Sequence, residues 1–88
     1  MFRASHILVS TIEEASTLKE QIDNGVGFAD LAKQHSKCPS GANGGDLGHF
    51  GPGMMVKPFE DAVISTSVGA ISSPVQTQFG YHLIHRTE

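Results

Sequence analysis

Two histidines near opposite ends of the chain are the first residues whose type suggests chemistry. His6 lies in the run from Arg3 to Ser10, and His82 lies in the run from Tyr81 to Arg86. Both runs have the composition of buried β-strands, in which a ring with two polar nitrogens is unusual. If these strands are neighbours, one imidazole can donate a hydrogen bond to the other, and Thr77 is available to fix the tautomer. The pair also fits a buried polar network that only specifies the fold, which the residue pattern alone favours.

A lone cysteine, Cys38, opens a glycine-rich segment that ends at Phe59. Lys37 beside it favours the thiolate, so Cys38 with a histidine as base could act as a nucleophile. The sequence shows no oxyanion hole, however, and Cys38 fits equally well as a small, half-buried apolar residue. Glycine at this density allows backbone conformations with positive φ, and such a loop is more typical of a binding site than of a plain connection.

Several apolar residues lie close to turns or to element ends and could form a cup beside the histidines. They are Leu47, Met55, Phe59 and Phe79. Methionine and phenylalanine more often fill a core than line a pocket, and it is the neighbouring glycine-rich segment that favours a pocket here.

Other classes of site find little support in the sequence. His82 and His85 are three residues apart, so a strand directs them to opposite faces, and no zinc motif is present. No nucleotide-binding glycine motif occurs either, and we therefore expect no metal and no other cofactor. The net charge of −3 argues against nucleic acid or an anionic membrane as a partner. A single cysteine excludes an internal disulfide and favours the cytoplasm, although a domain cut from an exported protein would look the same.

The hydrophobic pattern predicts one domain over residues 1–88, with three helices. Thr11 and Glu14 have capping-box spacing for the first helix, which should end at Gly25. A second helix is predicted from Phe28 to Ser36, and Pro58 suits the first turn of a third helix. One face of the second helix should carry Phe28, Leu31, Ala32 and His35, at helical spacing.

Short strands are predicted at Asp46 to Phe50 and around Pro74 to Gln76, in addition to the two that carry the histidines. Gln78-Phe79-Gly80 has the composition of a hairpin turn between the last two strands. The resulting order is β, α, α, β, α, β, β, which indicates a mixed α+β structure with a largely antiparallel sheet.

Four blocks of this sequence, in this order, resemble the parvulin family of peptidyl-prolyl cis/trans isomerases, above all its short single-domain bacterial members. The blocks are ASHILV, HSKCPSGANGGDLGHF, GMMVKPFEDAV and QTQFGYHLIHRTE, and they cover essentially the whole chain. The resemblance implies a parvulin or FKBP-like α+β fold, in which three to four helices surround a four-stranded antiparallel sheet. It also implies proline-containing peptides and unfolded or partly folded proteins as substrates, and we expect a monomer.

The resemblance extends to individual positions of the implied site. The residues that match the family's catalytic centre are His6, Cys38, Thr77 and His82. Those that match its pocket for the substrate proline ring are Leu47, Met55 and Phe59, with Phe79 beside them.

One departure from the family bears on the substrate. The phosphate-seeking branch carries a basic cluster after the first strand, whereas residues 10–14 here are STIEE. Two acids would repel a phosphate, so we expect an isomerase that is not phosphate-dependent and that prefers apolar or uncharged residues before proline. We expect rotation without a covalent intermediate, with Cys38 supplying a polarisable edge. Two other classes stay open: a proline-directed binding or chaperone module with vestigial catalysis, and a cysteine hydrolase.

Overall fold

A four-stranded antiparallel sheet organises the chain, and the computed structural model describes all of residues 1–88. The strands are β1 (Phe2–Val9), β2 (Asp46–Phe50), β3 (Val75–Thr77) and β4 (Gly80–Arg86). The α-helices are α1 (Ile12–Asp23), α2 (Phe28–His35) and α3 (Lys57–Ser65), and a short 3₁₀ helix (Pro39–Asn43) lies between α2 and β2. The predicted fold and element order are confirmed, and the 3₁₀ helix is an addition that the sequence pattern does not predict.

The strand order β2-β1-β4-β3 places the first and the last strand of the chain side by side at the centre of the sheet. In the register of β1 and β4, His6 lies opposite Ile84, and Leu8 lies opposite His82. The two histidines are therefore diagonal neighbours, a separation across which ring side chains can meet.

Both faces of the central strands are covered, which explains the continuous apolar run of Ile7, Leu8 and Val9 in β1. One core cluster joins the sheet to α1 and α2, and it contains Ile7, Val9, Ala15, Leu18, Leu31, Ala32 and Leu83. The other joins the sheet to α3, and it contains Ala4, Phe50, Phe59, Val63 and Ile84. Because side chains alternate along a strand, His6 lies on the same face as Ala4, towards α3.

The helix ends follow the local sequence. The Thr11 hydroxyl accepts a hydrogen bond from the Glu14 N–H at 3.2 Å and caps α1, as its spacing predicts. Gly25 follows the helix with a φ of 99°, a conformation that glycine adopts without a steric cost. The second helix ends at His35, one residue before the predicted end, and the His35 side chain is exposed although Leu31 and Ala32 on the same face are buried. None of the three α-helices is long and apolar enough to cross a bilayer.

The glycine-rich segment has a defined conformation next to β1. The N–H of His6 donates a hydrogen bond to the carbonyl oxygen of Gly45 at 2.9 Å. Gly45 has a φ of 87°, and a Cβ atom at this position would overlap the carbonyl oxygen of His6. Glycine is thus required here because the loop backbone lies directly against the backbone of the strand that carries His6.

Candidate active site

A cavity of about 510 Å³ opens on the α3 side of the sheet, and eight of its twelve lining residues are hydrophobic. It brings together almost every residue that the sequence predicts for the site. Those that line it are His6, Cys38, Leu47, Met55, Phe59, Phe79 and His82. Thr77 does not line the cavity, but its hydroxyl contacts the His82 ring. Phe79 lies at the rim of the cavity and is 61% exposed.

The two histidines form a buried, hydrogen-bonded pair. His6 is 5% exposed and His82 is 4% exposed. Their Nδ1 atoms are 2.9 Å apart, and the rings lie almost parallel with centroids separated by 5.1 Å. Since a hydrogen bond between two Nδ1 atoms needs one donor and one acceptor, the two imidazoles must differ in tautomer.

A hydroxyl group terminates the pair at each end. Thr77 Oγ1 lies 2.7 Å from His82 Nε2 and also accepts a hydrogen bond from the N–H of Phe79 at 3.2 Å. Ser40 Oγ lies 3.2 Å from His6 Nε2. All four ring nitrogens therefore have a partner, and no buried side-chain polar atom in the chain lacks one. The result is a continuous chain of polar groups from Ser40 to Thr77 beneath an apolar cavity.

Burial keeps both imidazoles neutral. Desolvation, together with the neighbouring imidazole of His82, lowers the pKa of His6 from 6.5 to about 4. Desolvation also lowers the pKa of His82. Two cationic rings would in addition place two Nδ1–H donors against each other, so the hydrogen bond between them requires that at least one stays neutral. The floor of the cavity is thus polar but uncharged near neutral pH.

Phe59 connects the imidazole pair to the apolar wall. Its ring is 3% exposed and meets both imidazoles edge to face, at 5.5 Å from His6 and 5.2 Å from His82. Leu47 and Met55 are half-buried and pack against the same core cluster as Phe59. The helix α3 supplies Phe59, β2 supplies Leu47, and the loop between these two elements supplies Met55.

Cys38 lies at the edge of the cavity, immediately before the 3₁₀ helix, and is half-buried. Its backbone N–H donates to the Ser36 hydroxyl at 3.4 Å. The partners of the imidazole nitrogens are Ser40, Thr77 and each other, so no hydrogen bond joins the thiol to His6 or His82.

The structure adds lining residues that sequence reasoning missed. They are Leu8, Lys37, Pro39, Met54 and Val56. Strand alternation already places Leu8 on the face of His6, so this residue was detectable from the sequence. The role of Ser40 was not, because it depends on the 3₁₀ helix that turns its hydroxyl towards His6.

The acidic residues after β1 do not line this cavity. Glu13 and Glu14 line a separate depression between α1 and α2, together with Thr17 and His35. No group of three or more His, Cys, Asp or Glu side chains converges on a common point anywhere in the chain.

The site is thus a largely apolar cavity with a neutral imidazole floor, on a small antiparallel α+β domain. The family model described as the PPIC-type PPIase domain matches residues 1–88. The chain therefore belongs to this family, the parvulin-type peptidyl-prolyl cis/trans isomerases, and the resemblance noted in the sequence is confirmed.

The similar proteins are of two kinds, the longer PrsA foldases and short parvulins. The foldase protein PrsA of Geobacillus sp. (strain WCH70) is 55% identical over 87 residues, which cover 98% of this chain and 32% of that protein. The crystal structure of PrsA from Bacillus anthracis has a TM-score of 0.96 and 47% identity, covering 98% of this chain and 40% of that chain. NmPin, the parvulin of Nitrosopumilus maritimus, has a TM-score of 0.89 and 45% identity, covering 99% of this chain and 95% of that chain. The chain thus spans about a third of the length of the PrsA proteins that it matches.

Proposed function

We propose that this chain accelerates cis/trans rotation about X-Pro bonds in peptides and in unfolded or partly folded proteins, and that it does so without requiring a phosphate. The observation that carries the proposal is the apolar cavity above the neutral His6–His82 pair. Family membership supports the reaction type, and the lining residues support the choice of substrate.

The barrier to be lowered is that of amide rotation. An X-Pro bond rotates over about 20 kcal/mol, so the uncatalysed reaction takes roughly tens to hundreds of seconds. The twisted transition state loses amide resonance and is less dipolar than the planar ground state. A largely apolar cavity therefore disfavours the ground state relative to the transition state, and every ~1.4 kcal/mol of this difference accelerates rotation about tenfold.

The geometry suggests a division of roles within the cavity. Leu47, Met55 and Phe59 hold the proline ring, because they form the apolar wall that joins the core. His6 and His82 form the uncharged floor and, through Phe59, fix the shape of the wall. Phe79 is the exposed rim residue against which the chain beyond the ring can rest.

A cysteine hydrolase is a poorer fit to this geometry. Nucleophilic catalysis by Cys38 would need a base within hydrogen-bond reach of the thiol. Each imidazole nitrogen is instead engaged with Ser40, with Thr77 or with the other ring. This arrangement favours Cys38 as a polarisable part of the cavity edge and favours rotation without a covalent bond.

The lining residues also support independence from phosphate. No arginine lines the cavity, and its only cationic side chain is that of Lys37. A single lysine provides a point charge and not the bidentate contacts that arginines make with a phosphate group. We therefore expect kcat/KM for a phospho-Ser-Pro peptide to lie within about tenfold of the value for its unphosphorylated twin, because one exposed charge contributes little.

The test is a protease-coupled or NMR exchange assay on a matched pair of Ser-Pro and phospho-Ser-Pro peptides. Wild-type protein should accelerate both, and Met55→Ala should be slower than Val68→Ala, a control substitution at a residue that is 61% exposed and outside the cavity. Binding of the peptides without acceleration would leave a binding or chaperone module and refute the isomerase proposal. Acceleration of the phosphorylated peptide alone would refute the independence from phosphate.

We further propose that the chain acts as a monomer in the cytoplasm. Cys38 is the only cysteine and has no partner for an internal disulfide, which suits a reducing compartment. Light scattering on the purified chain tests the first statement, and the redox state of Cys38 in cells tests the second.

A further inference from the structure

Lys37 is the one permanently charged side chain that lines the cavity. Its backbone is anchored beside the site, because its N–H donates to the carbonyl oxygen of Leu8 at 2.8 Å. The hydroxyl of the preceding residue, Ser36, accepts from the N–H of Leu8 at 3.1 Å. These bonds fix the origin of the lysine side chain at the cavity edge, next to Cys38, and the residue is exposed to solvent.

The charge of Lys37 is uncompensated, whereas the other charged side chains near the cavity are engaged. Asp46 pairs with Arg3 at 2.7 Å, and Lys57 lies 3.5 Å from Asp61. Glu60 accepts a hydrogen bond from the N–H of Gly53 at 2.6 Å. No carboxylate lies within 4 Å of the Lys37 amine. A peptide in the cavity therefore meets a positive field from one side only.

We propose that Lys37 is a specificity-determining residue, which favours substrates that carry an aspartate or glutamate carboxylate next to the proline. This inference rests on the proposed isomerase function and names the class of substrate that the same cavity prefers. The recognition is electrostatic: the flexible lysine side chain approaches a carboxylate on the bound peptide without rearrangement of the site. The sequence led us to expect a preference for uncharged residues before proline, because Glu13 and Glu14 would repel a negative charge. These two acids line a different depression and not the cavity.

The expected effect is moderate. Exposed ion pairs are weak, so a glutamate in place of glutamine should raise kcat/KM by about three- to fivefold at low ionic strength. The preference should shrink as salt is added, because exposed charges are screened. A tenfold or larger preference would require a second cation, which the cavity does not contain.

The experiment compares peptides that differ only in Glu, Gln or Lys, placed directly before the proline in one set and directly after it in another. We expect wild-type protein to prefer Glu over Gln over Lys in at least one set, and Lys37→Glu to reverse this order. The matched control is Lys33→Glu, which makes the same change of net charge at an exposed residue of α2 outside the cavity. Lys33→Glu should keep the preference of the wild type.

The outcomes distinguish a failure of the proposed role of Lys37 from a failure of the proposed isomerase function. A Glu-to-Gln ratio near one in both sets, or a Lys37→Glu variant that keeps the wild-type ratio, would overturn the role of Lys37 and leave the isomerase function intact. An equal effect of Lys33→Glu would overturn it as well, since the preference would then reflect net charge. Wild-type protein that accelerates no peptide in either set would overturn the proposed function and this inference with it. Thermal melting checks that both variants are folded. We expect Lys37→Glu to fold, because the hydrogen bond that anchors residue 37 uses only its backbone.

Discussion

Acidification should destabilise the folded chain, because the buried imidazole pair resists protonation. The pKa of His6 is lowered from 6.5 to about 4 in the folded state, so between these pH values the unfolded state binds more protons. The stabilisation is complete above pH 6.5 and is lost as the pH falls towards 4. Linkage then gives a decrease in the free energy of unfolding of about 2 kcal/mol between pH 7.5 and pH 5 from His6 alone. The lowered pKa of His82 acts in the same direction.

Urea denaturation at pH 7.5 and pH 5.0, analysed by linear extrapolation, measures this decrease directly. His6→Asn removes one titrating group while it retains a side chain that can accept a hydrogen bond from His82, so its stability should depend less on pH. His35→Gln is the control, because His35 is exposed and lies outside the pair. Asp46 does not interfere, since its pKa is lowered from 3.8 by the hydrogen bond with Arg3 and it titrates below the pH window.

Two results would refute this reasoning. Equal free energies of unfolding at pH 7.5 and 5.0, within a few tenths of a kcal/mol, would show that the pair is not held neutral by burial. A His6→Asn variant that keeps the full pH dependence of the wild type would show that the decrease originates elsewhere. A loss of about 2 kcal/mol would be a large part of the total, because domains of this size are stable by roughly 5–15 kcal/mol.

Two further predictions concern the cavity edge and the loop beneath it. If Cys38 is not a nucleophile, Cys38→Ser and Cys38→Asp should both keep kcat/KM within about tenfold of the wild type in the coupled assay, because removal of an essential nucleophile typically costs far more. A near-complete loss of activity in Cys38→Ser would instead indicate covalent attack. Gly45→Ala should lower the free energy of unfolding by about 2–4 kcal/mol in urea denaturation, since the added Cβ overlaps the backbone of His6 and the φ is positive. Gly25→Ala, with a φ of 99° but no atom within 4 Å, should cost only about 1 kcal/mol, and equal costs at the two glycines would contradict the close approach.

The predictable part of this protein is the part that periodicity encodes. The apolar run around His6 predicts a central strand covered on both faces, and alternation separates His82 from His85: His82 contacts His6, whereas His85 packs against Phe28 of α2. The capping residue Thr11 fixes the start of α1 for the same local reason. The sequence pattern does not predict that the two strands from opposite ends of the chain are neighbours, because strand pairing depends on long-range packing.

The unpredictable part depends on loop geometry. Ser40 reaches His6 because the 3₁₀ helix places its hydroxyl there, and no periodic pattern indicates this. Lys37 is held at the cavity wall by the hydrogen bond from its backbone N–H to the carbonyl oxygen of Leu8, which any residue except proline could make at position 37. Resemblance to a family identified the site residues that match its motifs, but it gave no information about the role of the charge at Lys37.

The two histidines that form the floor of the cavity come from opposite ends of the chain, and this affects both the stability and the function of the site. The hydrogen bond between His6 and His82 spans 76 positions in the sequence and joins the two central strands of the sheet. Central strands normally open only in global unfolding, whereas exposed loops open at little cost. The neutral floor should therefore be as stable as the fold itself, while the rim residues Met54 and Phe79, which are 64% and 61% exposed, can adjust to different peptides. A rigid polar floor below an adaptable apolar rim suits an enzyme that must accept many sequences around one invariant ring.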